Sequence, residues 1–232
     1  MQTVLTPEHK TGIFIQELKN RFLCEVEIDG ESTVCYVPSS CHLSNFLDLK
    51  GKSVLLAPTQ SKNARTQFAL FAIPYKKNYI LLNTSMANRT VADSIKGRRF
   101  SFLGRRGTIY TEHYVGGYKS DIYIQDTNTI IEVKSVLSTE KCALFPTVFS
   151  ERALKQLEKL RDLLSLGYRV HYSVISLNPY VSSIYFVSDA QFTPLLKSCI
   201  DLGMTISAFS CRMDDNRVYI DKRLQIIFPL WI

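Results

Sequence analysis

Lys119-Ser120-Asp121-Ile122-Tyr123-Ile124-Gln125, then Asp126-Thr127-Asn128, then Thr129-Ile130-Ile131-Glu132-Val133-Lys134-Ser135: two β-branched runs flank a polar turn, the pattern of a β-hairpin. Side chains alternate between the faces of a strand. Ile122, Ile124, Ile131 and Val133 therefore share an apolar face, and Asp121, Tyr123, Glu132 and Lys134 share the other. With Thr127 and Asn128 as the loop, Asp126 pairs with Thr129, Asp121 lies opposite Lys134, and Tyr123 lies opposite Glu132. A slip by one residue would part Asp121 from Glu132 and bury the wrong set.

Two carboxylates and a lysine on neighbouring strands suit phosphodiester hydrolysis. A hard cation such as Mg2+ prefers carboxylate oxygens, keeps several waters and can touch phosphate at the same time. It lowers the pKa of its bound water and polarises the phosphoryl oxygen. A lysine two residues from a ligand points to the same side, where it orients the water or offsets developing charge. The bland alternative is a solvated sheet face on which Lys134 forms a surface ion pair, worth about 0–1 kcal/mol.

Upstream of the hairpin lies a basic stretch, Lys96, Arg98, Arg99, Arg105 and Arg106, with Phe100 and Phe102 between. It can hold phosphates and stack bases; the alternative is a solvated loop with both aromatics in the core. Before it, Thr84 to Ile95 reads as a helix and Thr108 to Tyr114 as a strand. After the hairpin, Thr147 to Leu166 carries Leu154, Leu157, Leu160 and Leu164 at helical spacing, with Gly167 at the cap. Arg169 to Leu177, Ser183 to Val187 and Met204 to Cys211 read as strands, and Phe192 to Leu202 as a helix closed by Gly203. This β-β-β-α-β order is α/β in character.

The first third is different. Ile13 to Leu18, Phe22 to Ile28, Ser32 to Val37, Ser53 to Ala57, Gln67 to Ile73 and Tyr79 to Leu82 are short strand-like runs, and Asp29-Gly30 is a hairpin signal. They predict a small β-barrel of the oligonucleotide-binding type, with an SH3-like barrel fitting nearly as well. Phe22, Tyr36 and Phe68 are read as barrel filling, with base stacking on an exposed face as the alternative. The pattern changes near Asn83, dividing the chain into 1–83, a nucleic-acid-binding barrel, and 84–232, the part that carries the hairpin.

The formal net charge is +7, and residues 84–232 hold most of the surplus. That suits a polyanion such as DNA or RNA. No apolar run approaches the roughly 18 residues that a membrane helix needs, and Met1 to Lys10 lacks an apolar signal region, so no membrane partner and no secretion are expected. Six scattered cysteines form no Cys-x-x-Cys pair and are read as free thiols of a cytoplasmic protein. His9, His42, His113 and His171 show no metal-ligand spacing, and His113 is read as structural. There is no Walker loop, Rossmann fingerprint or nucleophile elbow. Nothing in the sequence specifies an oligomeric state.

Asp121 with Ile131-Glu132-Val133-Lys134-Ser135-Val136, followed by Phe145-Pro146 and Glu151-Arg152, resembles the sugar fermentation stimulation protein A (SfsA) family. Arg21-Phe22-Leu23, Asn83-Thr84 and Ala87-Asn88-Arg89 match further family segments, and the resemblance runs over most of the chain in order. It implies an oligonucleotide-binding-type barrel followed by a restriction-endonuclease-like domain of the PD-(D/E)xK class with a central mixed sheet. It also implies DNA binding and a Mg2+-dependent nuclease activity on DNA or RNA, with Mn2+ as the other fitting ion. Asp121 and Glu132 become metal carboxylates, Lys134 the catalytic lysine, and Glu112 the acid that completes the metal site. Glu151 and Arg152 match a pair at the start of the long helix, as accessory positions. The chain departs from the pattern at Pro38-Ser39-Ser40-Cys41, where Pro-Asn-Thr-Gly is usual, at Thr147, where an acid is usual, and at Gln156, where a histidine is usual.

The leading expectation is sequence-tolerant, divalent-metal-dependent cleavage of nucleic acid. The rival is a non-catalytic DNA-binding regulator of sugar metabolism on a nuclease-like scaffold, and a third reading is a protein-binding module.

Overall fold

The computed structural model describes residues 3–39, 42–59, 63–148 and 150–229. After a two-residue strand, β1 (Val4–Leu5), come β2 (Lys10–Glu17), β3 (Leu23–Ile28), β4 (Glu31–Tyr36), β5 (Ser53–Pro58) and β6 (Phe68–Tyr75). Period-two burial places Cys24, Val26 and Ile28 of β3 inside while Glu25 and Glu27 face out. Asp29 and Gly30 both adopt positive φ, 53° and 85°, in the two-residue turn between Ile28 and Glu31, as hairpin twist demands. β2 pairs with β3 and β5, β3 with β4, and β5 with β6, all antiparallel. A parallel contact of Tyr36 with Ala69 joins β4 to β6 and closes a five-stranded barrel. Phe22 and Tyr36 lie outside it, 38% and 39% exposed, so they do not fill the barrel as expected. Phe68 packs on the core.

β7 (Asn78–Leu81) folds back on β6, and its Leu81 N–H donates to Leu177 in the second part of the chain. There follow α1 (Ser85–Ser94), a 3-10 turn (Arg98–Leu103), β8 (Ile109–Val115), β9 (Tyr118–Ile124), β10 (Thr129–Val136), β11 (Cys142–Phe145), α2 (Glu151–Ser165), β12 (Arg169–Ser176), β13 (Ser183–Phe186), α3 (Phe192–Asp201), β14 (Thr205–Asp214), β15 (Arg217–Arg223) and β16 (Gln225–Ile227). The large sheet is mixed, in the order β1-β15-β14-β12-β10-β9-β8, with β10, β12 and β14 parallel. β11, β13 and β16 form a smaller parallel sheet. β1 pairs with β15, so the start of the chain belongs in space to the second part.

The sheet has two covered faces. Leu157, Leu160 and Leu163 of α2 and Leu196 of α3 pack with Ile130, Val170, Tyr172 and Val174 on one. On the other, Ile122, Ile124, Ile131 and Val133 share one cluster with α1 and the barrel core. The apolar face expected of the hairpin is therefore the one that welds the two parts together. α2 is shorter than the expected Thr147 to Leu166, because Ser150 is extended and its side chain caps Ala153 N–H at 3.3 Å. At the other end Tyr168 N–H bonds Leu163 O and Gly167 N–H bonds Leu164 O, with Gly167 at φ 87°, a Schellman closure.

Candidate active site

The site begins with a correction to the hairpin. Ile124 pairs with Thr129, Tyr123 with Ile130 and Ile122 with Ile131. The connection is therefore the four residues Gln125 to Asn128, with Asn128 left-handed at φ 50°. Asp126 leaves the ladder because its carboxylate accepts from Thr108 N–H at 2.6 Å and meets Arg105 at 3.2 Å. A shift of two residues preserves the faces. Continued one step past Ile122, this register sets Asp121 across from Glu132 rather than Lys134, close enough for the Glu132 charge to act on the Asp121 carboxyl.

Asp121 accepts from Asn88 Nδ2 at 2.7 Å and from Val133 N–H at 2.8 Å. Glu132 is 2% exposed; one oxygen accepts from the Tyr118 hydroxyl and the other from Lys134 Nζ at 2.7 Å. Lys134 Nζ also donates to Gln156 Oε1 of α2 at 2.6 Å. Burial, and next the Glu132 charge, push the Asp121 carboxyl up to about 6, against the opposing pull of Val133 N–H, Lys134 and Asn88. Burial and the Glu132 charge also raise the Tyr118 and Tyr172 hydroxyls above the ordinary phenol range.

These groups form the floor of a cleft of about 790 Å³. Arg21, His42 and Phe46 line it from the barrel side, and Asn88 of α1 with Arg152 and Gln156 of α2 from the other. Tyr172, the direct neighbour of Glu132 on β12, is 1% exposed and lines the cleft, yet among the described residues its hydroxyl has no hydrogen-bond partner.

Two carboxylates face one ammonium here, which leaves the floor short of positive charge. Each carboxylate oxygen accepts one hydrogen bond and keeps a further lone pair. Among the described residues no three His, Cys, Asp or Glu side chains converge. A carboxylate pair alone fits an ion that retains several waters, as Mg2+ does.

Asp121, Glu132, Lys134, Arg152 and Gln156 come together. Glu112 does not: it is exposed, left-handed at φ 51°, and paired with Lys119 at 2.7 Å. Glu151 is exposed and outside the cleft lining. Lys96, Arg98, Arg99, Arg105 and Arg106 do not line the cleft either. That stretch abuts the start of β10, where an added Cβ on Gly104 would lie 3.4 Å from Thr127. Five strand steps, about 16 Å, separate Thr129 from Lys134. Phe100 is core, and Phe102 is half-exposed with its ring 5.0 Å from His171. His113 stacks between Tyr110 and Tyr123, consistent with a structural role. Ser40 and Cys41 lie outside the described residues, whereas Cys24, Cys35, Cys142, Cys199 and Cys211 are free thiols.

Sequence reasoning missed Tyr118, Tyr172 and the role of Asn88. Tyr172 needed the β10–β12 pairing, and Tyr118 needed the curl of the β8–β9 hairpin over α2. Asn88 falls in the family-like Ala87-Asn88-Arg89 segment, but its bond to Asp121 needed the packing of α1 on the hairpin.

Residues 18–82 match the model of the SfsA N-terminal OB domain, and residues 85–217 that of the sugar fermentation stimulation protein RE domain. The sugar fermentation stimulation protein homolog of Caldanaerobacter subterraneus subsp. tengcongensis is 32% identical over 225 residues, 93% of this chain and 96% of that protein. The homolog of Ruminiclostridium cellulolyticum is 27% identical, covering 94% and 96%. The solved structure of Pyrococcus furiosus SfsA in complex with Ca2+ superimposes with a TM-score of 0.84 at 21% identity, covering 97% of this chain and 99% of that one. Among the described residues no helix is long and apolar enough to cross a membrane.

Proposed function

The chain belongs to the sugar fermentation stimulation protein (SfsA) family, and within it we propose a divalent-metal-dependent nuclease that hydrolyses phosphodiester bonds of DNA or RNA. The observation that carries this reading is the convergence of Asp121, Glu132 and Lys134 on one cleft floor. The order of these residues is that of the PD-(D/E)xK class. The Ca2+ named with the Pyrococcus furiosus protein is a hard, oxygen-seeking ion of the same kind.

Asp121 and Glu132 would hold Mg2+ or Mn2+, which when bound supplies an activated water and polarises the phosphoryl oxygen. Tyr118 and Lys134 each hold one oxygen of Glu132, and Asn88 and Val133 N–H hold those of Asp121, so both carboxylates are fixed before substrate arrives. Lys134 has three protons and spends two on Glu132 and Gln156; the third is free to orient water or to meet charge developing on the phosphate. Arg152 at the rim neutralises substrate phosphate. The barrel of 1–83 would hold nucleic acid while 84–232 cuts it, in a cytoplasm that keeps the thiols reduced.

Glu132→Gln is the direct test, read by calorimetric titration with Mg2+ and Mn2+ and by cleavage of labelled DNA and RNA. The expected result is a loss of metal affinity of at least about tenfold, together with loss of product. Undiminished cleavage by this variant would refute the site. Tight nucleic-acid binding by wild type, without product in either metal, would place the regulator reading first.

A further inference from the structure

We propose that the cleft takes a single strand of nucleic acid rather than a duplex, and that Arg21, Phe22 and Tyr36 form the track by which the strand leaves it over the barrel. The inference rests on the nuclease reading for what happens on the cleft floor, but not for the binding itself.

Three observations converge. Arg21 lines the cleft and its guanidinium lies 4.8 Å from the centre of the Phe22 ring. Phe22 and Tyr36 stack at 6.5 Å and 21°, both more than a third exposed. The track is therefore continuous from cleft to barrel surface, with a cation at its inner end and two aromatic faces beyond. It is also rigid. Phe22 O accepts from Val37 N–H at 2.8 Å, Phe22 N–H donates to Asn20 at 3.1 Å, and Leu23 pairs with Tyr36 across β3 and β4.

A phosphate on Arg21 followed by bases on Phe22 and Tyr36 is the arrangement by which proteins hold unpaired strands. A duplex buries the faces of its bases between neighbours and cannot offer them to aromatic rings. The floor reinforces the choice. Glu132 is 2% exposed, so the scissile phosphate must descend between the barrel and α2 to reach it. A space of 790 Å³ lies in the range of about 300–1,000 Å³ that encloses a small ligand, the scale of a few nucleotides. Glu25 and Glu27 face outward further along β3 and repel phosphate, so the track is short and holds about two bases.

The test is equilibrium binding by the full chain in chelator, where nothing is cut, followed by fluorescence anisotropy. Labelled single-stranded DNA, single-stranded RNA and a blunt DNA duplex of the same sequence are compared at one salt concentration. At least one single strand should bind about tenfold or more tightly than the duplex. Phe22→Ala and Tyr36→Ala should each weaken that binding about tenfold, and Phe22→Trp should restore it. Tyr114→Ala, which removes a ring exposed on β8, should bind as wild type. Duplex binding equal to or tighter than both single strands would overturn the proposal, as would wild-type affinity in Phe22→Ala and Tyr36→Ala. The DNA and RNA arms show which sugar the track accepts. Because no hydrolysis is read, absence of cleavage elsewhere would sink the nuclease reading without touching this result.

Discussion

Asp121 is a carboxylic acid held where its charge is costly. Its carboxyl titrates near 6 in the folded chain against 3.8 for an unperturbed aspartate. Between those pH values the folded state keeps a proton that the unfolded state has released. Its contribution to stability is therefore complete below the unfolded value and is lost as pH rises through about 6. The loss is on the order of 3 kcal/mol. Asp121→Asn cannot ionise, and Asn88 can turn its amide to meet the new side chain. Measured by denaturant unfolding in chelator, the stability of Asp121→Asn relative to wild type should climb by about that amount between pH 4 and pH 7. A difference that stays level across this range would mean that the Asp121 environment is far more solvated than its contacts indicate.

The β8–β9 hairpin and α2 show how elements deliver these residues. Gly116, at the hairpin turn, has φ 56°, and a Cβ there would come within 2.5 Å of Leu163 Cδ2 on α2. That close approach lets the hairpin lie on α2 and carries Tyr118 over Glu132. Gly116→Ala combines a disfavoured backbone angle with a clash and should cost about 1–3 kcal/mol, read as a lowered Tm. A stability equal to wild type would show that the turn relaxes freely. Much of this level was legible in advance. Period-two alternation placed Ile122, Ile124, Ile131 and Val133 in the core, and it set Asp121, Glu132 and Lys134 on one face. The pairing was displaced by two residues because alternation is blind to even shifts, and because Asp126 has its strongest partners outside the hairpin, at Thr108 and Arg105. Glu112 was carried over only from the family resemblance, and it lies exposed with a left-handed backbone, paired with Lys119. β15 escaped notice because Arg217, Asp221, Lys222 and Arg223 mask a strand in which only Val218 and Ile220 are buried.

For the molecule as a whole, the barrel and the mixed-sheet domain share one apolar cluster, running from Cys24 and Val54 through Met86 and Val91 to Ile122 and Ile131. β1 adds a second tie, since this strand pairs with β15 in the larger sheet before the chain builds the barrel and returns. The two parts should therefore unfold together. Calorimetry is expected to give one transition whose calorimetric and van't Hoff enthalpies agree; two resolved transitions would show that the junction contributes little. The same junction forms the cleft, whose walls are supplied by both parts. The basic stretch from Lys96 to Arg106 was the sequence's most obvious feature for nucleic acid, and it turned out to flank the far end of β10. Arg21 and Arg152, which join Lys134 at the cleft, lie far apart in sequence and come together only through the fold. In the nuclease reading Lys134 acts on the reacting phosphate or its attacking water more than on substrate affinity, a role beyond its hold on Glu132. That role is tested most directly by single-turnover cleavage of labelled nucleic acid by Lys134→Ala beside wild type, in Mg2+, in Mn2+ and in chelator, with metal and substrate affinities measured on the same samples. Metal-dependent product is expected from wild type, with a cleavage rate at least about a hundredfold lower in the variant and substrate affinity changed by only a few fold. Cleavage by Lys134→Ala at the wild-type rate, or wild-type product that persists in chelator, would contradict it.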